Sequence, residues 1–295
     1  MHVAAVIVTH QPDPTRVASL MQALQPQVKA MAVIDNASVP GLVDSLRALT
    51  TVHGAHLETN AVNLGVGAAL NLGIDWARRQ GADAVLLMDQ DSVPEPGMVA
   101  ALAAAIDARG IAAAGPVAID ERTGQPAPFI CIGVPFNRKL HAAPGATVDC
   151  DFLITSGALV PIAALDEVGV MDASLFIDNV DLDWSFRARA RGLRLLGVAD
   201  ARMRHRIGDR LQRRPGGRAF VHGPVRLYYI MRNRLLMYRR PTTPRRWIAQ
   251  DLPRLVLKFL GFSLVVAPRR ANAQAMLEGL VDGLRNRSGP RPNPR

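Results

Sequence analysis

Cysteine is almost absent: the chain has two, Cys131 and Cys150, and neither sits in a CxxC pair or a Cys/His cluster. That excludes a disulfide framework and favours a reducing compartment, with one bridge between the two as the alternative. No leader is expected in the opening residues either. The opening residues, MHVAAVIVTH, carry no basic segment, and their apolar run is too short for a signal peptide or a spanning helix. They read as a buried first strand. No internal repeat occurs, and only the last few residues have the texture of unstructured chain. Acid is scarce in one region only: residues 201–295 hold 4 Asp+Glu against 22 Lys+Arg, whereas 1–200 hold 21 against 13. The formal net charge of +10 therefore conceals −8 in the first part and +18 in the second. Such a split describes an acidic domain followed by a basic arm suited to a polyanion, either nucleic acid or an anionic membrane surface.

What is present is an ordinary globular composition, 49% hydrophobic over 295 residues, enough for one large core or one domain with an appendage. Val3–Thr9 reads as a strand, Pro14–Leu24 as a helix, MAVIDNAS as a second strand running into a turn, and Leu42–Leu49 as a helix. His56–Glu58 then gives a short strand, NLGVGAALNLGIDWARRQG a turn and a helix ending at Gly81, and DAVLLMDQDS another apolar strand. Alternating strand and helix implies a mostly parallel sheet flanked by helices. In such sheets ligands bind beyond the carboxyl ends of the strands, where this chain gathers Thr9, His10, Asp35, Asn63, Asp89 and Asp91. A helix is expected over Pro96–Arg109, a Pro/Gly-rich cover over 114–152, renewed strand character in FLITSGALVP, and a helix over Asp181–Arg191 stopped by Gly192. Beyond 210 the texture changes to a loop at RRPGGR, a basic helix over VRLYYIMRNRLLMYRR, further amphipathic helices over 247–287, and a Pro/Arg tail. The division expected is 1–210 for the α/β domain and 211–295 for a basic helical extension.

Two acidic clusters carry the chemistry. Asp89 and Asp91 flank Gln90 after a buried strand, and in extended chain residues two apart point the same way. Paired oxygens at a strand mouth suit a hard divalent cation, Mg²⁺ or Mn²⁺, that completes its shell with water and phosphate oxygens; a turn or cap before Pro96 is the plainer account. The second cluster places Asp178, Asp181 and Asp183 ahead of Trp184 and the alternating arginines. Crowded carboxylates raise one another's pKa, whereas a helix N-terminus and nearby arginines lower it, and one ionised carboxylate beside a substrate hydroxyl is what a general base requires. Asp183 and Arg187 stand four apart and read equally as a surface ion pair, and Trp184 as core.

The ordered run VIVTHQ, VIDNAS, NLGVGAALNLGI, LLMDQDS, TSGALV, FIDNVDLDWSFRARARG and HRIGD resembles the GT-A glycosyltransferases of family 2. MDQDS, FIDNVDLDW and the downstream YYIMRNR are most similar to their bacterial rhamnosyltransferase branch. The resemblance covers residues 3 to about 240. It implies a GT-A, Rossmann-like fold and donor nucleotide binding by Thr9, His10, Asp35, Asn63, Gly65 and Asp89, His10 standing where a tyrosine is common. It further implies metal ligation by Asp91 and His205, Asp181 as the base that deprotonates the acceptor, and Ser156, with Thr155 and Gly157, near the acceptor. Asp178, Asp183, Trp184 and Arg187 would support that site; Val180 stands where the wider family often has Glu.

The implied activity is a single inverting displacement moving L-rhamnose from dTDP-L-rhamnose to a lipid-linked saccharide or polysaccharide, with another donor sugar such as galactofuranose or a UDP-hexose as the alternative. The basic arm then acquires a reason. Residues 254–270, RLVLKFLGFSLVVAPRR, are too short and too interrupted to span a bilayer, but suit a peripheral position in anionic headgroups on the cytoplasmic face of the cell membrane. Packing on the chain's own domain or on a second subunit of a homo-oligomer is the competing account. A nucleic-acid binding module would explain the basic residues and leaves the acidic half without a role, so no nucleic-acid partner is expected. A nucleotidyltransferase would want a phosphate loop that THQPDPTR does not provide.

Overall fold

In a computed structural model of the chain the backbone is described for residues 1–107, 110–205, 210–214 and 217–292, and side chains for all of these except 210–214 and 217–221. Ala108 and Arg109, the Arg206–Asp209 part of the His205 motif, the Pro215–Gly216 centre of the expected loop and the last three residues lie outside the described residues.

The first part follows the predicted alternation: β1 Val3–Thr9, α1 Pro14–Leu24, β2 Ala30–Asp35, α2 Pro40–His53, β3 His56–Thr59, α3 Val66–Arg79 and β4 Ala84–Asp89. Continuous apolar runs such as VAAVIVT suit strands covered on both faces, and β1 is buried along nearly its whole length. Helix α1 starts where Asp13 accepts from the Thr15 N–H and Pro14 presets the first turn. Helix α3 lies unusually close to the sheet, because a Cβ on Gly73 would fall 2.1 Å from a Val6 methyl. β3, β2, β1 and β4 pair in parallel, and the register sets Thr9 beside Asp35 and Val8 beside Asp89. The polar strand ends therefore share one edge.

Beyond β4 the sheet becomes mixed. The short β5 Val93–Pro94, α4 Met98–Ile106 and the long β6 Ile111–Asp120 come next, followed by β7 Phe129–Cys131, β8 Arg138–Leu140, β9 Thr147–Cys150 and β10 Ala158–Pro161. Helices α5 Ile162–Val168 and α6 Val180–Ala190 precede β11 Arg194–His205. The main order is β3-β2-β1-β4-β10-β6-β11-β5, and β10 is antiparallel to both β4 and β6. Two expectations shift. The helix predicted from Pro96 starts at Met98, because Gly97, at φ 82°, closes a turn first. The strand in FLITSGALVP begins only at Ala158, since Gly157, at φ 81°, turns the chain against Pro116. Apolar side chains from helices on the two faces form two core layers around the sheet. Both cysteines are free thiols.

The C-terminal part contributes a hairpin, β12 Arg210–Arg214 and β13 Gly217–Val221, then α7 Pro224–Tyr238, α8 Arg245–Leu264 and α9 Arg269–Leu284. Arg213, Arg214, Gly217 and Arg218 of RRPGGR thus lie in paired antiparallel strands where a loop was expected. Helix α7 departs most from expectation: instead of a basic helix with one apolar face, it is buried from Leu227 through Asn233, including a fully buried Arg232. Helix α8 is two-faced. Trp247, Leu255 and Phe262 face inward, while Leu252, Val256, Leu257, Leu260 and Leu264 are exposed along one stripe. Among the described residues no helix is long and apolar enough to cross a membrane.

Candidate active site

At the shared edge of β1, β2 and β4 opens a cleft of about 560 Å³, lined among others by His10, Asn63, Gly65, Asp89, Asp91, Asp178, Asp181, His205 and Arg226. Its floor is built by hydrogen bonds among residues the sequence had singled out. Thr9 and Asp35 are fully buried: the Thr9 hydroxyl donates to Asp35 Oδ1 at 2.8 Å, and the Ser38 N–H and hydroxyl donate to the same carboxylate. Neither presents an atom to the cleft, so they shape the turn after β2 from beneath. His10 reaches the cavity with Nδ1 held 2.8 Å from the Asn36 carbonyl. Asn63 accepts from both the Asn36 amide and the Gly65 N–H at 2.9 Å. Gly65, at φ 85°, has no room for a side chain, because a Cβ would lie 2.6 Å from the Phe176 carbonyl oxygen.

On one wall Asp89, Asp91 and His205 converge, with one potential ligand atom from each lying within 4.8 Å of the others. Gln90, in the turn that follows β4, accepts from the His10 N–H and donates to the His10 carbonyl, so Asp89 and Asp91 are brought together by a turn and not by the strand alternation expected from the sequence. His205 comes from the far end of β11 and is no surface residue. Its Nδ1 sits 2.7 Å from the Ser92 hydroxyl and 3.8 Å from Asp91 Oδ1. Ser92 in turn meets the buried Ser156 hydroxyl at 2.7 Å, which accepts from the Asp89 N–H. Ser156 therefore braces this wall from behind, and its neighbour Thr155 is the one that lines the cleft. Burial raises the Asp89 pKa, opposed by His205 and reinforced by Asp91. Two carboxylates and an imidazole at the mouth of a strand form a donor set that fits a divalent ion of the Mn²⁺ type, and also accommodates Mg²⁺.

Asp181, in the first turn of α6, lines the same cleft. Burial pushes its pKa up to about 6; the Leu182 N–H, 2.8 Å away, pulls it down, while Asp178 and Asp89 push it up. A carboxylate that titrates there is ionised at neutral pH and retains enough basicity to accept a proton. Asp178 is held by Arg226, whose Nε donates to its two oxygens at 3.0 and 3.1 Å. Arg226 comes from α7 and lines the same cavity. It was not singled out in the sequence, where nothing distinguishes it from its many basic neighbours.

The remaining residues of the acidic cluster face away from the cleft. Asp183 is not on the surface: it is 1% exposed, receives Arg187 Nε at 2.8 Å and pairs with Arg240. Arg187 also donates to the carbonyls of Val168 and Val170, and the Trp184 indole donates to that of Gly169. These three tie α6 to the preceding loop and are scaffold.

The model of glycosyl transferase family 2 matches residues 6–168, more than half of the chain. The chain belongs to that family. It is 30% identical over 293 residues, 98% of its own length and 97% of the other's, to the dTDP-rhamnosyl transferase RfbF of Shigella flexneri. This family 2 glycosyltransferase also shares its fold with solved structures. The mannosyltransferase PcManGT of Pyrobaculum calidifontis, in complex with GDP-Man and Mn²⁺, matches 97% of the chain and 87% of its own, with a TM-score of 0.60 at 13% identity. GalNAc-T7, solved with UDP, GalNAc and Mn²⁺, matches with a TM-score of 0.64 at 13% identity, the chain covering 97% of itself and 56% of that protein. At such identities the likeness is one of fold, and the fold is GT-A.

Proposed function

We propose that this enzyme transfers L-rhamnose from dTDP-L-rhamnose, with inversion, to a hydroxyl of a lipid-linked or polysaccharide acceptor, and that it depends on a divalent cation. The observation that carries the reading is that Asp181 lines one cleft with Asp89, Asp91 and His205, near enough for the Asp89 charge to act on it. The donor is supported by the near full-length relative named a dTDP-rhamnosyl transferase.

The division of labour follows from charge. Asp91 and His205, with Asp89 beside them, would hold the cation, which supplies positive charge for the diphosphate that departs. Asp181 accepts the proton of the acceptor hydroxyl while that oxygen forms its bond to C1; the C1–O bond to the diphosphate breaks, and dTDP leaves with the electron pair. A single displacement of this kind inverts C1. His10 and Asn63 line the nucleotide end, and Arg226 fixes Asp178, whose charge helps keep the base basic. Leaving the β1 and β2 ends as they stand, Thr9 and Asp35 act by shaping that end rather than by touching the donor.

The exposed stripe on α8 supports a peripheral position on anionic lipid. Arg245, Arg246 and Arg254 are exposed on the same helix, and its single acidic residue, Asp251, is buried and spent on Arg234 and Tyr238. Apolar side chains flanked only by cations match a negatively charged surface, whereas two copies of this face would repel.

Calorimetry with dTDP, UDP and GDP, each with and without Mn²⁺, tests donor class and metal together. Tight binding of dTDP only with Mn²⁺, followed by slow release of dTDP from dTDP-L-rhamnose with water as acceptor, is expected. Preference for UDP or GDP overturns the donor, and metal-independent binding and turnover overturn the cation site.

A further inference from the structure

The segment that carries the acidic cluster is held in a conformation its own sequence does not favour. Phe176, Asp178 and Asn179 have φ of 66°, 63° and 65°, three left-handed positions among four consecutive residues, none of them glycine. Such backbone persists only where its surroundings over-determine it. The same segment lines the cleft. Its Phe176 carbonyl accepts from the Val66 N–H at 2.7 Å, against the Gly65 turn, and Asn179 is the residue from which α6 and Asp181 begin.

The left-handed turns aim a set of carbonyls away from the cleft and toward α7. There the buried Asn233 Nδ2 donates to Leu175 O at 2.9 Å, Ile177 O at 2.7 Å and Asp178 O at 2.9 Å. Its orientation is fixed, because Arg232 Nε donates to Asn233 Oδ1 at 2.9 Å and a reversed amide would set donor against donor. Arg232 Nη2 adds a bond to Leu175 O at 2.9 Å. The guanidinium lies over the Tyr229 ring, 4.8 Å from its centroid, and Phe176 stacks on the same ring at 4.9 Å. Every side chain here except Phe176 belongs to YYIMRNR, the motif to which the proposed chemistry assigns no task.

From this we infer that Asn233, oriented by Arg232, is a positioning residue: it holds the Phe176–Asn179 turn in its left-handed form and thereby sets Asp181 and Asp178 against the reacting centre. The inference rests on the reading of Asp181 as the base. The arm beyond residue 210 is on this account part of the catalytic apparatus rather than an appendage.

Asn233→Asp keeps the volume and the acceptor for Arg232 but replaces the amide donors by oxygens facing three carbonyls. A role in packing alone leaves that variant like the wild type. The positioning role predicts that kcat for dTDP-L-rhamnose hydrolysis falls by about 100-fold, as misplacement of a reacting group by an ångström can cause. dTDP binding with Mn²⁺ should stay within about twofold, the split expected when only transition-state geometry is lost. Amide exchange should quicken across residues 174–181 and nowhere else in the first domain. Asp251→Asn, which loosens the arm at a pair remote from this turn, should lower Tm without lowering kcat. Asn233→Ala carries the same readouts if Asn233→Asp does not fold. Wild-type kcat in the Asn233 variants, an equal loss of kcat and dTDP affinity there, or unchanged exchange over 174–181 each overturns the inference. If the wild-type chain hydrolyses no dTDP-L-rhamnose, the donor reading falls, while the exchange comparison still decides whether Asn233 holds the turn.

Discussion

Asp181→Asn should make the protein more stable and nearly inactive, and the gain in stability should depend on pH. Burial, with Asp178 and Asp89 nearby, lifts the Asp181 pKa from 3.8 to about 6. That difference corresponds to about 3 kcal/mol of preference for the protonated form. Because one edge of the carboxylate faces the open cleft, we take about 2 kcal/mol as the usable part. The folded chain binds this proton more tightly than the unfolded chain. Its contribution is therefore neutral below about pH 4, becomes unfavourable as pH rises from 3.8 to about 6, and is constant above that. An amide carries no charge to bury, so at pH 7.5 the variant should melt roughly 4 °C above the wild type, with the two converging at pH 4. Calorimetric scans at both pH values in chelator measure this. The same carboxylate should set the acidic limb of kcat/KM, with a midpoint near 6, and its loss should lower turnover by about 10²–10⁴-fold, the span of a general base. A variant that is less stable at pH 7.5, that gains equally at pH 4, or that keeps full turnover would refute the reasoning.

Ser92→Ala removes the hydroxyl that holds His205 Nδ1; Mn²⁺ affinity, followed by the EPR signal of the free ion, should weaken about 10-fold as outer-shell losses do, and unchanged affinity would detach His205 from the site. Arg240→Ala leaves the buried Asp183 with Arg187 alone and frees Asp172; urea unfolding should show a loss of about 2–3 kcal/mol, and a loss below about 0.5 kcal/mol would mark the pair as a surface-like contact. Leu257→Asp with Leu260→Asp should abolish flotation with vesicles rich in phosphatidylglycerol, on which the wild type floats and from neutral vesicles stays away; equal soluble fractions would reject the membrane face, and conversion of a wild-type dimer to monomer would assign the stripe to a second copy.

The sequence by itself determined the first half of the fold, because continuous apolar strands, amphipathic helices and turn residues repeat locally from Val3 to Asp89, and each strand pairs with a near neighbour. It also marked the two acidic clusters, since Asp89 and Asp91 follow a strand directly and Asp181 opens a helix. Tertiary structure alone decided which members of those clusters face the cleft. Asp178, Asp181 and Asp183 look alike in the chain, but about half a turn of α6 sends Asp181 to the cavity and Asp183 into the core toward Arg187 and Arg240. Likewise Thr9, Asp35 and Ser156 have the residue types of contact groups and act from beneath the surface. The arm was least legible. Its arginines read as a basic surface, whereas Arg232 is buried between rings and carbonyls and Arg226 reaches the site. Periodicity can say that a helix has charges, but partners 57 and 48 residues away, Leu175 for Arg232 and Asp178 for Arg226, decide whether those charges meet water or protein.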